Sequence, residues 1–355
     1  MEPNKNTSVF LKDVANIVMG QSPAGSSYNP NEGIEFHQGK SYFGEVLLDR
    51  SPIKTTQPTK FAQDGDIVIC VRAPVGIVNI TDRKICIGRG LASISAKDSI
   101  DQRFLFYLIQ SKKKVIEILA SGSTFSCISG PQLSELMLDI PSKDKQSVIS
   151  KALYSLEKHI SNLEQLICKQ ESIKKTTLKM LLTPQSNWIH TNIGSLVTVL
   201  RGESLQSKNF VSGNIPVVAG GVGIAGYHNK SNRPGNTITI SASGANAGFI
   251  NFYKEPIFAT DCSTISETNS LDTLFLYYVL KSKQDSIFKM QTGGAQPHVH
   301  PKDISRINIF IPNLEEQQRI ATQLSEIDAH IENLKQQLAK QRAIKQGLMD
   351  YFFGN

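Results

Sequence analysis

Asp64 and Asp66 stand two residues apart, and clustered carboxylates of this kind, with a lysine, are what a nuclease needs. They precede the apolar run Ile67–Cys70, where aspartate serves the turn itself. His298 and His300 could supply two metal ligands, but no third accompanies them, and the equivalent earlier place, Ser126–Ile128, holds no histidine. Ala219-Gly220-Gly221-Val222-Gly223 has the glycine content of a phosphate cradle. It lacks the Gly-Lys-Ser/Thr ending of a P-loop and opens no clear helix, so it reads as a tight loop. Tyr28-Asn29-Pro30-Asn31 approaches the Asn-Pro-Pro-aromatic motif of adenine methyltransferases without its second proline or its aromatic residue. The expectation is a chain with no catalytic residue, metal or cofactor of its own.

Charge points to a partner. The chain carries 38 Lys+Arg against 31 Asp+Glu, a formal net charge of +7. Residues 1–145 contribute +2, 146–182 +3, 183–313 +3 and 314–355 −1. This distribution suits a polyanion. The five cysteines, Cys70, Cys86, Cys127, Cys168 and Cys262, are scattered without a CxxC pair, which argues against both a disulfide framework and a structural zinc site. No apolar run is long enough to span a bilayer, and the polar start Met1–Ser8 has no signal-peptide core. A cytoplasmic, membrane-free protein is expected.

The positioning elements come twice. At an offset of 171 residues, Asp101 falls on Asp272, Phe104 on Phe275, Tyr107 on Tyr278 and Ile116 on Ile287. Gly122 falls on Gly293, Ile140-Pro141 on Ile311-Pro312, Gln146 on Gln317, and His159-Ile160 on His330-Ile331. The register runs without a gap from Asp101 to the C-terminus. Upstream it needs gaps: Gly65–Ile69 resembles Gly235–Thr239, and Gly76–Asn79 resembles Gly248–Asn251. A shared frame with divergent first halves suggests two modules that read different things.

Each unit begins with short β-branched strands between Gly and Pro turns, such as Asp66–Arg72 and Thr237–Ser241. One amphipathic helix follows, Asp101–Leu119 or Asp272–Met290, stopping at Gly122 or Gly293. A polar loop then leads to a last strand, Leu136–Ile140 or Arg306–Ile311. Long helices come next, about Lys145–Leu182 and Glu315–Phe353. Ile149, Leu153, Leu156, Ile160 and Leu163 in one, and Ile320, Leu324, Ile327, Ile331, Leu334 and Leu338 in the other, follow alternating steps of three and four. That is a coiled-coil seam. It calls for burial against the twin helix, antiparallel, or else against the helix's own module.

Three stretches resemble the specificity subunits of type I restriction–modification enzymes. They are Val18-Met19-Gly20-Gln21-Ser22-Pro23 with Ser26–Asn29, Gly65–Gly76 with Ile87-Gly88-Arg89-Gly90, and the junction Ile311-Pro312 followed by Glu316-Gln317 and Ile320. Gly226–Asn229 and Phe258–Asp261 add to the likeness, while the first junction departs from it with Lys145-Gln146. The resemblance implies a mixed α/β fold with two target-recognition domains, residues 9–144 and 183–314, after a disordered N-terminus, residues 1–8. The antiparallel spacer helices would cover 145–182 and 315–353. It implies a non-catalytic subunit whose domains each bind one half of a bipartite, asymmetric site on double-stranded DNA. The helices would set the spacing, and their seam residues would dock two methyltransferase subunits, which would hold S-adenosylmethionine. A restriction subunit would join the full complex.

Base reading needs donors and acceptors on loops. The candidates in the first module are Lys40, Arg50, Arg72, Arg89, Ser123 and Thr124. In the second they are Tyr227, His228, Lys230, Arg233, Ser243, Asn246 and Gln296. Two rivals stand beside this reading: a scaffold of two ligand-binding modules that binds no DNA, and a specificity subunit of another restriction–modification type.

Overall fold

The structure, a computed structural model, describes residues 6–120, 126–266, 271–294 and 296–354. The chain forms two compact units, residues 1–163 with 337–355 and residues 164–336. Each combines one α/β module with part of both long helices, Lys143–Leu181 and Leu314–Phe353. The long helices stand within two residues of the expected spacers, and each unit takes part of both.

In the first module an antiparallel sheet runs Ala15–Met19, Leu91–Ala96, Ile67–Cys70, Val78–Ile80. Ile67–Cys70 is buried on both faces. Its period of two sends Ile67 and Ile69 into the helix-side core with Phe104 and Leu105, and Val68 and Cys70 into a second cluster with Ile85, Ile87 and Leu91. That second cluster is covered by a five-stranded sheet in which Ile34–His37 and Ile85–Ile87 pair in parallel. The second module repeats the first sheet in the same order: Leu200–Arg201, Cys262–Ile265, Thr237–Ser241, Ile250–Tyr253. Its other sheet keeps only the parallel pair, Ile215–Val218 with Phe258–Ala259, flanked by Ile224–His228. The modules thus differ structurally where their sequences diverge.

The N-terminus was expected to be disordered through Ser8. Instead Thr7–Phe10 pairs with Met137–Ile140, and Ser8 Oγ donates to Asp139 at 2.5 Å. The strand before the long helix offers an unpaired edge, and these residues satisfy it. The single amphipathic helix is also broken in both modules. Gln102–Ser111 gives way to Lys113–Ala120, and Thr273–Ser282 to Gln284–Phe288. At each break a serine hydroxyl, Ser111 or Ser282, donates to the carbonyl three residues back and competes with the helical ladder. The loop after it contains a short helix, Gly130–Ser134 or Pro301–Ser305, each with a proline in its first turn.

The junctions to the long helices are alike bond for bond. Buried Gln146 accepts from the Asp101 amide and donates to the Pro141 carbonyl, each at 2.9 Å. Gln317 does the same for Asp272 and Pro312 at the same distances. Asp101 and Asp272 in turn cap their helices, accepting from Phe104 and Phe275.

The seam is buried in both ways the sequence allowed. Ile149 and Leu153 enter the first module's core together with Met349 and Phe353 from the end of the second long helix. Ile320 and Leu324 enter the second module's core beside Leu178, Leu181 and Leu182. Within the second unit the ion pairs Glu171–Lys335 and Lys174–Asp328 run in opposite senses along the two helices, which are antiparallel there. Ile160, Leu163, Ile331 and Leu334 are buried, and Leu156, Ile327 and Leu338 half-buried. Most of the seam is thus spent on packing within the chain, as a spacer requires.

Candidate nucleic-acid interface

In the first module, turns from several segments meet at one end of the strands and form a rim. The Gly88 amide donates to the His37 carbonyl at 2.7 Å, the Val71 amide to Gly90 at 2.9 Å, and the Gln21 amide to Ile87 at 3.0 Å. Arg72 bridges to Cys127, and the Ile128 amide donates to the Val71 carbonyl. The contacts are close enough to demand glycine: a Cβ on Gly20 would lie 2.2 Å from the Gly88 carbonyl oxygen. This construction brings together the three stretches around Gly20, Arg72 and Arg89. Arg72 and Arg89 are exposed on it and make no ion pair among the described residues. Lys40, also exposed, follows His37 in the 3-10 turn Lys40–Tyr42. Burial pushes the Cys70 thiol up to about 11, and the nearby Lys40 ammonium opposes that rise.

The second module builds the same rim. The Thr260 amide donates to Val218 at 2.8 Å, the Ala242 amide to Asp261 at 3.2 Å, and the Glu203 amide to Ala259 at 2.9 Å. Ser243 bridges to His298, and the Val299 amide donates to the Ala242 carbonyl. A Cβ on Gly202 would lie 2.0 Å from the Thr260 carbonyl oxygen. The glycine-rich stretch Gly220–Gly223 begins where Gln38–Lys40 stands in the first module. Asn246 and Gln296 are exposed here, since the Gly244 amide, in the loop of Asn246, donates to Pro297, next to Gln296. The chemistry differs from the first rim. Ser243 donates to the Asp261 carboxylate, and Glu203 stands where the first module has Gln21.

The remaining candidates among the described residues are not brought to a rim. Arg50 pairs with Glu35 at 3.6 Å, at the opposite end of Ile34–His37, although its side chain is 73% exposed. There Arg83 clamps Glu35 through both carboxylate oxygens, and the Ser51 amide and His37 Nε2 add bonds to it. Burial alone would raise the Glu35 carboxyl, but these bonds and the Arg83 charge hold it at about 2. Burial pushes His37 down against the pull of Glu35. His228 is buried, and its Nδ1 accepts from the Val211 amide at 3.0 Å, so it braces a loop rather than reading a base. Arg233 is likewise occupied: it donates to Thr264, Asn232 and Arg201 at 2.6–2.8 Å and pairs with Glu203. Tyr227 and Lys230 are exposed near the far end of the hairpin from Val218. Ser123 and Thr124 lie outside the described residues. Asp66 is buried, accepting from the Gln63 amide, Ser93 and Ser95. The rings of His298 and His300 stack at 6.1 Å, and among the described residues no group of three or more His, Cys, Asp or Glu is arranged to hold a metal.

Two features of the long helices were missed in the sequence. The first is a paired triad. Tyr107 donates to Glu157 at 2.6 Å, and Lys345 donates to the other oxygen of Glu157 at 2.6 Å. In the second unit Tyr278 donates to Asp328 at 2.9 Å, and Lys174 pairs with the same carboxylate. Burial, then the adjacent carboxylate, raises both tyrosine pKa values. The offset of 171 relates Glu157 to Asp328 and Lys174 to Lys345, a signal hidden by the Glu-to-Asp change and by the lysine coming from the other repeat. The second is an outward apolar stripe. Ile173 and Met180, 41% and 70% exposed, are repeated as Ile344 and Tyr351, 42% and 80% exposed.

The sequence model of the type I restriction modification DNA specificity domain matches residues 3–171 and again 185–341. The chain belongs to this family. Each match takes in one module and most of its long helix. A protein of Methanocaldococcus jannaschii, provisionally named the type I restriction enzyme MjaX specificity subunit, is 41% identical over 169 residues, 47% of this chain. A protein of Mycoplasma genitalium, provisionally named a type I specificity subunit, is 22% identical over 307 residues, 81% of this chain. The matched region spans 40% of the length of the first relative and 80% of the second. The crystal structure of a type I restriction–modification S subunit from M. genitalium shares the fold, with a TM-score of 0.78 at 20% identity, over 100% of this chain and 98% of that one. Among the described residues of this specificity-family chain, no helix is long and apolar enough to cross a membrane.

Proposed function

We propose that this chain is a DNA-sequence specificity subunit, with each module binding one half of a bipartite, asymmetric site through its rim. The observation that carries the reading is the pair of rims: one backbone construction, made twice, presenting unpaired Lys40, Arg72 and Arg89 in one module and Ser243, Asp261 and Asn246 in the other. One frame with two sets of side chains is what two unlike half-sites require. The long helices have 39 and 40 residues, roughly 60 Å each at the rise of an α-helix. Their length sets the unread gap, as half-site spacing follows protein geometry in other DNA binders. The chain itself performs no catalysis. Two methyltransferase subunits, carrying S-adenosylmethionine, dock on the twin stripes of Ile173–Met180 and Ile344–Tyr351 rather than on the buried seam, and a restriction subunit completes the enzyme.

Binding of the methyltransferase complex to duplex DNA tests this reading against a scaffold that binds no DNA. Phosphate-driven affinity should fall by orders of magnitude from about 50 to about 200 mM salt. Undetectable binding at the lower salt favours the scaffold. Inserting one helical turn into both long helices should change the gap and leave the half-sites alone; an unchanged gap defeats the ruler.

A further inference from the structure

The two rims, superposed by their hydrogen bonds, differ at two definable positions. Arg72 follows Cys70 by two residues as Ser243 follows Ser241, and Cys70 and Ser241 occupy the same place in their sheets, opposite Leu91 and Cys262. Arg72 bridges to Cys127 and Ser243 to His298, positions themselves related by the repeat. In the adjacent turn the first module has Gly88-Arg89-Gly90 where the second has Thr260-Asp261. Gly88 and Thr260 bond to the equivalent carbonyls of His37 and Val218, and Gly90 and Asp261 accept from the equivalent amides of Val71 and Ala242. Arg89 is therefore one extra residue, displayed between two glycines whose backbones are fixed on both sides. Asp261 occupies the register of Gly90 and holds the Ser243 hydroxyl.

This inference rests on the DNA-reading function proposed above. We infer that these two positions set which base each module reads: Arg72 and Arg89 give the first module a guanine, and the Ser243–Asp261 pair gives the second a cytosine. An arginine fork matches the O6 and N7 acceptors of guanine, whereas a carboxylate accepts from the cytosine N4 amino group. The carboxylate also disfavours what the arginines select, since it faces guanine O6 and N7 acceptor to acceptor. Arg72 and Arg89 are free to approach DNA because they make no ion pair among the described residues. Asp261 is pre-aimed, because its carboxylate is held by Ser243, whose backbone is fixed by the bridge to His298. The Gly220–Gly223 turn stands close beside the pair, a Cβ on Gly220 coming within 2.9 Å of the Asp261 carboxylate. The absence of a side chain there leaves room for a base edge.

The experiment compares the complete methyltransferase complex carrying wild-type chain, Arg89→Gln, Arg72→Gln or Asp261→Asn, each presented with a randomised duplex pool. Preference for the bound sequences is then read position by position. Arg89→Gln or Arg72→Gln should lower discrimination at a guanine of one half-site by roughly 5- to 150-fold and leave the other half-site unchanged. Asp261→Asn, which keeps an acceptor for Ser243 and so preserves the turn, should lower discrimination at a cytosine of the other half-site only. Uniformly weaker binding with every base preference intact would make these residues phosphate contacts and overturn the inference while leaving the function standing. Loss of preference in both half-sites from a single variant would overturn it as well. A wild-type complex with no sequence preference would instead overturn the proposed function.

Discussion

Replacing Glu157 with alanine isolates what fixes the first module to the helices. Glu157 is 7% exposed, and both of its oxygens are used, one by Tyr107 and one by Lys345. The Tyr107 ring is fully buried, and its hydroxyl would lose its charged acceptor. A hydrogen bond to a charged group contributes about 1.5–3 kcal/mol. Breaking a buried ion pair costs about 3–5 kcal/mol, but the Lys345 side chain is 25% exposed and can turn to solvent, so only part of this applies. The expected loss is about 2–4 kcal/mol. Urea unfolding followed by far-UV circular dichroism measures it, and hydrogen exchange locates it in Gln102–Ser111 and the last turns of the second long helix. Trp188, the only tryptophan, sits in the second unit's core and does not report on this site. Crossing Glu157→Ala with Lys345→Met should give a coupling of about 1 kcal/mol or more. Coupling below about 0.3 kcal/mol, or a single-variant loss below about 0.5 kcal/mol, would refute the clamp.

Gln146→Ala and Gln317→Ala each strip a backbone amide and a carbonyl at a part-buried junction of their partners, and each should cost about 1–3 kcal/mol by denaturant unfolding, with similar values expected from the matched geometry. Glu35 has its folded pKa lowered from 4.5 to about 2. Its contribution is therefore fully present above about pH 4.5 and is lost as pH falls toward 2, at no more than ~1.4 kcal/mol per pH unit. Glu35→Gln should flatten the stability of the first unit over that window, and an unchanged acid slope would contradict the assignment. Gly20→Ala should destabilise the first rim by several kcal/mol or displace the Gly88–Gly90 turn, since its Cβ would meet two backbone carbonyls within 2.8 Å. Lys40→Ala should weaken DNA binding without altering base preference and reduce the salt slope by about 1, measured by titration at several salt concentrations.

The helical half of each unit was legible because its signals are local and repeat at one offset. Asp101 and Asp272 cap, Gln146 and Gln317 lock, and the seam marks its own burial. The rims were less legible. Gly20-Gln21-Ser22 and Gly202-Glu203-Ser204 are equivalent by hydrogen bonding, yet they are separated by 182 residues rather than 171. Different loop lengths before the sheet shift the register, so a constant offset cannot find them. Arg89 and Arg72 were identifiable as polar side chains in glycine-rich turns. Arg233 and His228 also stand near glycines, Gly235 and Gly226, and only their tertiary partners, Thr264, Arg201 and Val211, show that they are structural. The lysines of the two triads were invisible for another reason. Each pairs with a carboxylate of the other repeat, a relation that depends on how the helices cross and not on local pattern.

Two unlike readers share one frame in this chain if each rim binds its own half-site. Mapping methylated adenines genome-wide in cells that express this chain with its methyltransferase tests it most directly. Two unlike modules on one frame should yield a bipartite motif with two different half-sites and a fixed unread gap. A continuous motif, or two identical half-sites, would contradict it.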